Sequence, residues 1–334
     1  MYRLDGRISI IGVRHHNLAI TNIFTAPRGR YYGCRRGDLS DELAIRQSEE
    51  NKVRSQRELT SPMTPLENPG DISDKPRLTT QKLSLGYGQQ LIINKLSLSI
   101  KNGAFSVIIG PNGCGKSTLL RALSRSLLPQ NGSIRLDQQD IQHYKAKVFA
   151  RQLSLLSQGA SISETLTVFD LVSRGRYAHQ SFFHQWSTED ERIVKAAISA
   201  VNLESLVQQR VSELSGGQRQ RAWFAMTLAQ HTPIVLLDEP TTYLDIAHQI
   251  EMLDLCQELQ QQGKTLVLVL HDINQALRYA THLIMLKEGQ IYAEGLPESI
   301  VTEDSIAAVF GLRCRIITDP ESGKPLVIPR RQSR

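Results

Sequence analysis

Residues 110–117 read Gly110-Pro111-Asn112-Gly113-Cys114-Gly115-Lys116-Ser117 and fit the pattern G-x-x-x-x-G-K-[ST] at every specified position. No other segment constrains the chain as much. Ala104–Ile109 before it is an apolar run that predicts a buried strand, and Ser117–Leu127 after it has a helical pattern. A strand that runs through glycines into a helix is the context in which this string cradles phosphates. Glycines let the backbone approach the phosphates, and the helix that follows presents its positive end. Lys116 is expected to reach the β- and γ-phosphates and the Ser117 hydroxyl to ligate Mg²⁺, with Thr118 closing the loop.

A second apolar run, Ile234–Leu237, ends in Asp238-Glu239, and a third, Thr265–Leu270, ends at His271. Helical patterns follow each, near Ile246–Gln261 and Ile273–Ala280. Strands that alternate with helices predict an α/β fold with a mostly parallel sheet covered on both faces. In such sheets the carboxyl ends of the strands form the ligand crevice. Asp238 is therefore expected to hold Mg²⁺ and Glu239 to polarise an attacking water. Leu83–Leu85 and Leu91–Ile100 alternate apolar and polar residues, as half-buried strands do. Residues 161–228 carry mainly the 3.6-residue period and predict a helical insert. Cys314–Pro329 reads as a hairpin turning at Asp319–Gly323.

Leu214-Ser215-Gly216-Gly217-Gln218 is the LSGGQ signature, and from about Leu78 onward the chain resembles the ATP-binding-cassette (ABC) nucleotide-binding domains. The resemblance implies a P-loop ATPase with a parallel core sheet, an N-terminal antiparallel β subdomain and a helical signature subdomain. Gln158 looks like the Q-loop glutamine and a further Mg²⁺ ligand, Asp245 the D-loop aspartate and His271 the switch histidine. Tyr87 falls where the family stacks an aromatic on adenine. Two copies are then expected to close head-to-tail on ATP, with Ser215, Gly216 and Gly217 of one copy contacting the γ-phosphate held by the other. Glu239, His271 and Gln158 would carry the hydrolysis.

The net charge of +6 suggests a nucleic-acid partner until it is located. Residues 1–37 hold seven arginines and one acid, Asp5. Removing these from the totals of 39 basic and 33 acidic residues leaves 32 of each, so the rest of the chain is neutral and no nucleic acid is expected. Residues 38–77 are polar, with Pro62, Pro65, Pro69 and Pro76, so residues 1–77 are expected to be a disordered extension of a domain spanning 78–334. Met63 is a candidate alternative start. No secretory signal or apolar stretch of roughly 18–20 residues is seen. The four cysteines have no metal-ligand spacing and read as cytosolic thiols. His143, His179 and His184 have none either and are expected at the surface or in loops.

One cassette with a compact insert, no heptads and no membrane span favours a transporter subunit that works on a separate permease, and an importer over an exporter. Leu171-Val-Ser-Arg174-Gly175-Arg176-Tyr177 and Pro240–Gln249 resemble the ATPases of ferric-siderophore, haem and cobalamin importers, ferric siderophore most closely. The resemblance implies a peripheral protein on the cytoplasmic face of a bacterial inner membrane, linked through its permease to a substrate-binding protein. Gln158–Tyr177 would receive the permease, with Arg174 and Arg176 as candidate contacts.

Overall fold

The computed structural model describes residues 76–157, 165–180 and 186–331. Gln158, His184, Met63 and the expected extension up to residue 75 lie outside the described residues. Strand β1, Pro76–Tyr87, begins two residues before the expected domain boundary. It pairs antiparallel with β2, Gln90–Lys101, across the two-residue loop Gly88-Gln89, where Gly88 takes φ +58°. Glycine adopts that left-handed conformation without a Cβ penalty. Along β2, Leu96, Leu98 and Ile100 point inward while Ser97 and Ser99 face water. β4, Asn131–Leu136, and β5, Gln139–Asp140, complete an antiparallel sheet in the order β2-β1-β4-β5.

The core sheet holds β3, Phe105–Ile109, β6, Leu153–Leu156, β7, Ile234–Asp238, β8, Thr265–Val269, β9, His282–Lys287, and β10, Gln290–Gly295. Their order is β10-β9-β3-β8-β7-β6, parallel from β9 to β6, with β10 an antiparallel edge. Every residue of β3, β7 and β8 is buried. Phe105, Val107 and Ile109 enter one apolar cluster, and Ile108 enters the other. Burial on both faces is why these strands read as continuous apolar runs rather than as alternation. The mostly parallel sheet and the antiparallel β subdomain agree with expectation.

Helix α1, Lys116–Leu123, follows β3 and lies on the face shared with the antiparallel sheet. It stops four residues short of the predicted Leu127, where Ser124 caps it and Arg125 turns to φ +63°. Short α2, Ala146–Ala150, precedes β6. Within the expected helical insert stand α3, Val168–Ser173, α4, Thr188–Ala200, and α5, Gly216–Ala229. Each starts with a capping box: Thr167 with Asp170, Ser187 with Asp190, and Ser215 with Gln218. A box satisfies two of the amide donors that a helix start leaves open, which fixes where each helix begins.

Helices α6, Ile246–Gln261, and α7, Ile273–Tyr279, follow β7 and β8. Beyond β10 come α8, Pro297–Ile300, and α9, Glu303–Phe310, then the hairpin of β11, Cys314–Thr318, and β12, Pro325–Pro329. The hairpin is fastened to α7. Asn274 Nδ2 donates to Val327 O at 3.1 Å while its Oδ1 accepts from Val327 N at 2.8 Å. Arg278 donates to Asp319 Oδ2 at 2.9 Å.

Candidate nucleotide site

Because β3, β7 and β8 are parallel and adjacent in the order β3-β8-β7, their carboxyl ends open on one edge of the sheet. That edge gathers Gly110–Ser117, the Asp238-Glu239 pair and His271. Cys114, Gly115 and Lys116 wind tightly there, with Gly113 at φ +80° and Gly115 at φ +104°. The Lys116 ammonium donates to Gly110 O at 2.9 Å and Pro111 O at 3.0 Å, so it folds over the mouth of its own loop. Burial pushes the Cys114 thiol above its usual range, against the pull of the neighbouring Lys116.

Ser117 Oγ, in the first turn of α1, donates to Asp238 Oδ1, at the end of β7, at 2.9 Å. Burial raises the Asp238 carboxyl above its ordinary range, and the neighbouring Glu239 adds to the rise against the pull of Ser117. A hydroxyl and a carboxylate at this spacing are hard oxygen donors, the chemistry that Mg²⁺ takes. A cation beside Asp238 would offset its desolvation. The residues present therefore fit the ion.

Glu239 takes φ +53°, a left-handed conformation that costs a non-glycine residue roughly 1–2 kcal/mol. Its amide donates to Val269 O at 3.1 Å, which ties the strained position to β8. His271 Nε2 lies 2.6 Å from Glu239 Oε1, with the histidine half exposed and the carboxylate largely covered. Strain of this kind persists where surrounding structure over-determines it, and it clusters at working sites.

Tyr87, at the end of β1, is exposed and its hydroxyl accepts from Arg121 Nη1 at 3.3 Å. Not every predicted residue joins this cluster. The signature stands at the start of α5, where Ser215 Oγ accepts from the Gln218 amide and Gln218 Oε1 accepts from the Ser215 amide. A Cβ on Gly217 would stand 3.2 Å from Tyr243 O, so the signature packs against the loop that leads to Asp245. Asp245 caps α6 through the His248 amide at 2.9 Å.

Sequence reasoning missed the support beneath the phosphate loop. A Cβ on Gly110 would stand 2.2 Å from Leu286 O, and the Gly289 amide donates to Cys114 O at 3.2 Å. The β9–β10 turn thus braces the loop, and its only sequence signal was the Glu288-Gly289 turn pair. Gly110→Ala should consequently displace the loop, weakening nucleotide affinity at least about tenfold and destabilising the domain by about 1–3 kcal/mol. Titration with a fluorescent nucleotide and a thermal melt check this, and wild-type values in both would refute the bracing.

Arg174 and Arg176 part company. Arg174 is exposed, but Arg176 is only 5 % exposed, with Nε 2.8 Å from Asp190 Oδ1 and Nη1 donating to Ala229 O at 2.9 Å. The expectation that Arg176 meets a permease is corrected, because its guanidinium is used up inside the helical subdomain. His143 is exposed as expected, whereas His179 is half-buried against Gln230 O at 2.9 Å.

A glycine-rich phosphate loop with a strand-end Asp-Glu pair and a facing histidine, on the carboxyl edge of a parallel sheet, defines the class of P-loop nucleotide-binding domains. The family model described as ABC transporter matches residues 93–242. The chain is 54% identical over 254 residues to the ferric enterobactin transport ATP-binding protein of Escherichia coli K12, covering 76% of this chain and 94% of that one. It is 52% identical over 258 residues to a probable siderophore transport system ATP-binding protein of Bacillus subtilis 168, covering 77% and 94%. Among solved structures it resembles a dimeric bacterial ABC transporter cassette (TM-score 0.61, 28% identity, 66% of this chain and 98% of that one). It also resembles an inward-facing putative metal-chelate type ABC transporter (TM-score 0.65, 28% identity, 77% and 98%). The chain belongs to the ABC transporter family as one of its ATP-binding proteins, and is thereby an ATPase. Among the described residues no helix is long and apolar enough to cross a membrane.

Proposed function

We propose that this chain hydrolyses ATP to drive import of an iron(III)-siderophore through a separate membrane permease, itself served by a substrate-binding protein. The observation that carries the chemistry is the convergence of Lys116, Ser117, Asp238, Glu239 and His271 on one sheet edge. The substrate class is supported by the relatives, which are named for ferric enterobactin and siderophore transport.

In this reading Tyr87 stacks on adenine, and residues Gly110–Thr118 wrap the phosphates. Ser117 and Asp238, with Gln158, would hold Mg²⁺, which neutralises charge on the β- and γ-phosphates when bound. Lys116 leaves its two loop carbonyls for the phosphates. Glu239 accepts a proton from water while His271 holds the γ-phosphate side of the site. A second copy supplies Leu214–Gln218, whose helix start offers amides to the anion. The match to a cassette solved as a dimer supports that pairing.

The exposed cleft between Asp170, Ser173, Arg174, Tyr177, Gln180 and Trp186 would receive the permease, at the cytoplasmic face of a bacterial inner membrane. Ser173 has a buried hydroxyl with no partner there, and Trp186 is exposed although its ring also meets Phe169 edge-on. Deleting the gene should abolish uptake of a ⁵⁵Fe-siderophore in iron-starved cells, and plasmid copies should restore it. A copy carrying Arg174→Glu should restore at most about a tenth of wild-type uptake, with ATP turnover of the purified chain unchanged. Full uptake in the deletion strain would sink the substrate reading, and full uptake with Arg174→Glu would sink the docking cleft.

A further inference from the structure

His271 and the loop 243–245 head two helices that run side by side, and a pair of glutamines one turn further on joins them. Gln249, on α6, donates through Nε2 to Leu244 O at 3.0 Å. Gln275, on α7, donates through Nε2 to Gln249 Oε1 at 2.7 Å. The direction of this relay is forced. A carbonyl only accepts, so Gln249 must turn its NH₂ to Leu244 and its oxygen to Gln275, which must then donate. Both amides are half-buried, where such a bond is worth more than on the surface.

Each end of the relay has its own function to serve. α7 starts right after His271, is capped by Asp272, and is held from behind by the C-terminal hairpin through Asn274. At the other end stands the loop 243–245. Tyr243 sits at φ +68° and is 76% exposed, and Ile246 is 78% exposed. The same loop touches the signature, since a Cβ on Gly217 would lie 3.3 Å from Leu244 Cδ2.

We infer that Gln249 and Gln275 are positioning residues that lock the His271 helix to the 243–245 loop. Engagement of His271 with nucleotide in one site is thereby passed to the loop and signature that this chain presents to its second copy. The inference rests on the ATP-sandwich reading above.

The test follows from the forced direction. In Gln275→Glu the new carboxylate has nothing to donate. Gln249 must then face it with its oxygen, or flip and set that oxygen against Leu244 O, so two acceptors meet either way. In Gln249→Lys the ammonium still serves Leu244 O but finds no carboxylate opposite. Combining the two substitutions puts an ammonium between a carbonyl and a carboxylate, which restores the bridge.

Steady-state ATPase of the purified full chain should show kcat reduced about tenfold in Gln275→Glu with KM within about twofold of wild type. The Gln249→Lys/Gln275→Glu double variant should recover to within about threefold of wild type. Wild-type kcat in Gln275→Glu would overturn the inference. So would a double variant no faster than Gln275→Glu, or a KM that rises in step with the fall in kcat. A wild-type chain that hydrolyses ATP yet whose Glu239→Gln variant stays monomeric on gel filtration with ATP would instead strike the sandwich reading, which separates the two failures.

Discussion

Replacing Glu239 with glutamine should lower steady-state ATP hydrolysis by roughly 10²–10⁴-fold, the span that a positioned general base contributes. Binding of ATP should survive. The substitution keeps the shape of a residue whose backbone is pinned at φ +53° by its bond to Val269, and leaves Lys116, Ser117 and Asp238 in place. What is lost is the carboxylate that accepts a water proton and stands 2.6 Å from His271 Nε2. A carboxamide can still meet the imidazole, so the pocket should not collapse. With binding intact and turnover blocked, the ATP-bound pair of chains should accumulate. Phosphate release assays measure the first effect, and gel filtration with and without ATP measures the second. Turnover within threefold of wild type would remove Glu239 from the chemistry.

Much of this site was open to reading because its chemistry demands particular residue types at short range. A backbone that must wrap phosphates needs Gly110, Gly113 and Gly115, and the buried strands that deliver it are continuous apolar runs. The same holds for Asp238-Glu239 at the end of β7 and for Ser215, whose capping box with Gln218 is itself a four-residue pattern. Strands β9 and β10 were not foreseen. His-Leu-Ile-Met-Leu-Lys is buried on both faces, so it has no alternation, and an apolar run of that length suits a helix as well as a strand. The brace that their turn gives to Gly110 depends on pairing β3 with β9 across more than 170 residues, and no local pattern encodes that.

The glutamine relay is hidden for a similar reason. Gln249 and Gln275 stand in stretches that periodicity identifies as helices, yet their meeting depends on how α6 and α7 pack. Tyr243 carries no sequence warning of its left-handed backbone, because aromatic residues rarely adopt it. Arg176 is the sharpest case. A basic residue between an exposed Arg174 and an exposed Tyr177 reads as surface. Only the tertiary position of Asp190, at the start of α4, takes it inside.

That burial carries the second large effect. Arg176→Ala should cost about 3–5 kcal/mol of stability, the range for breaking one partner out of a buried ion pair. The Asp190 carboxylate would keep its bonds to Ser187 but lose the guanidinium at 2.8 Å, and Ala229 O would lose its donor. Both are shut away from compensating water, with Asp190 only 8 % exposed. Burial alone would raise the Asp190 carboxyl, but bonds from Arg176 and Ser187 outweigh it and hold the group below its ordinary range. A carboxyl with a depressed folded-state pKa stabilises the fold above its unfolded value, near 3.9, and that stability drains away as the pH falls below it. The gap between wild type and Arg176→Ala should therefore be full at pH 7 and narrow below about pH 4. Denaturant unfolding at a series of pH values measures it. Replacing both partners at once, Arg176→Met with Asp190→Asn, should recover much of the loss, since no uncompensated charge is left inside and the Asn amide oxygen can still accept from the Ser187 amide. If Arg176→Ala instead unfolds with wild type, the guanidinium is not held as the 2.8 Å contact implies. Arg176 would then return to the surface beside Arg174, where charge reversal of either residue would bear equally on permease docking.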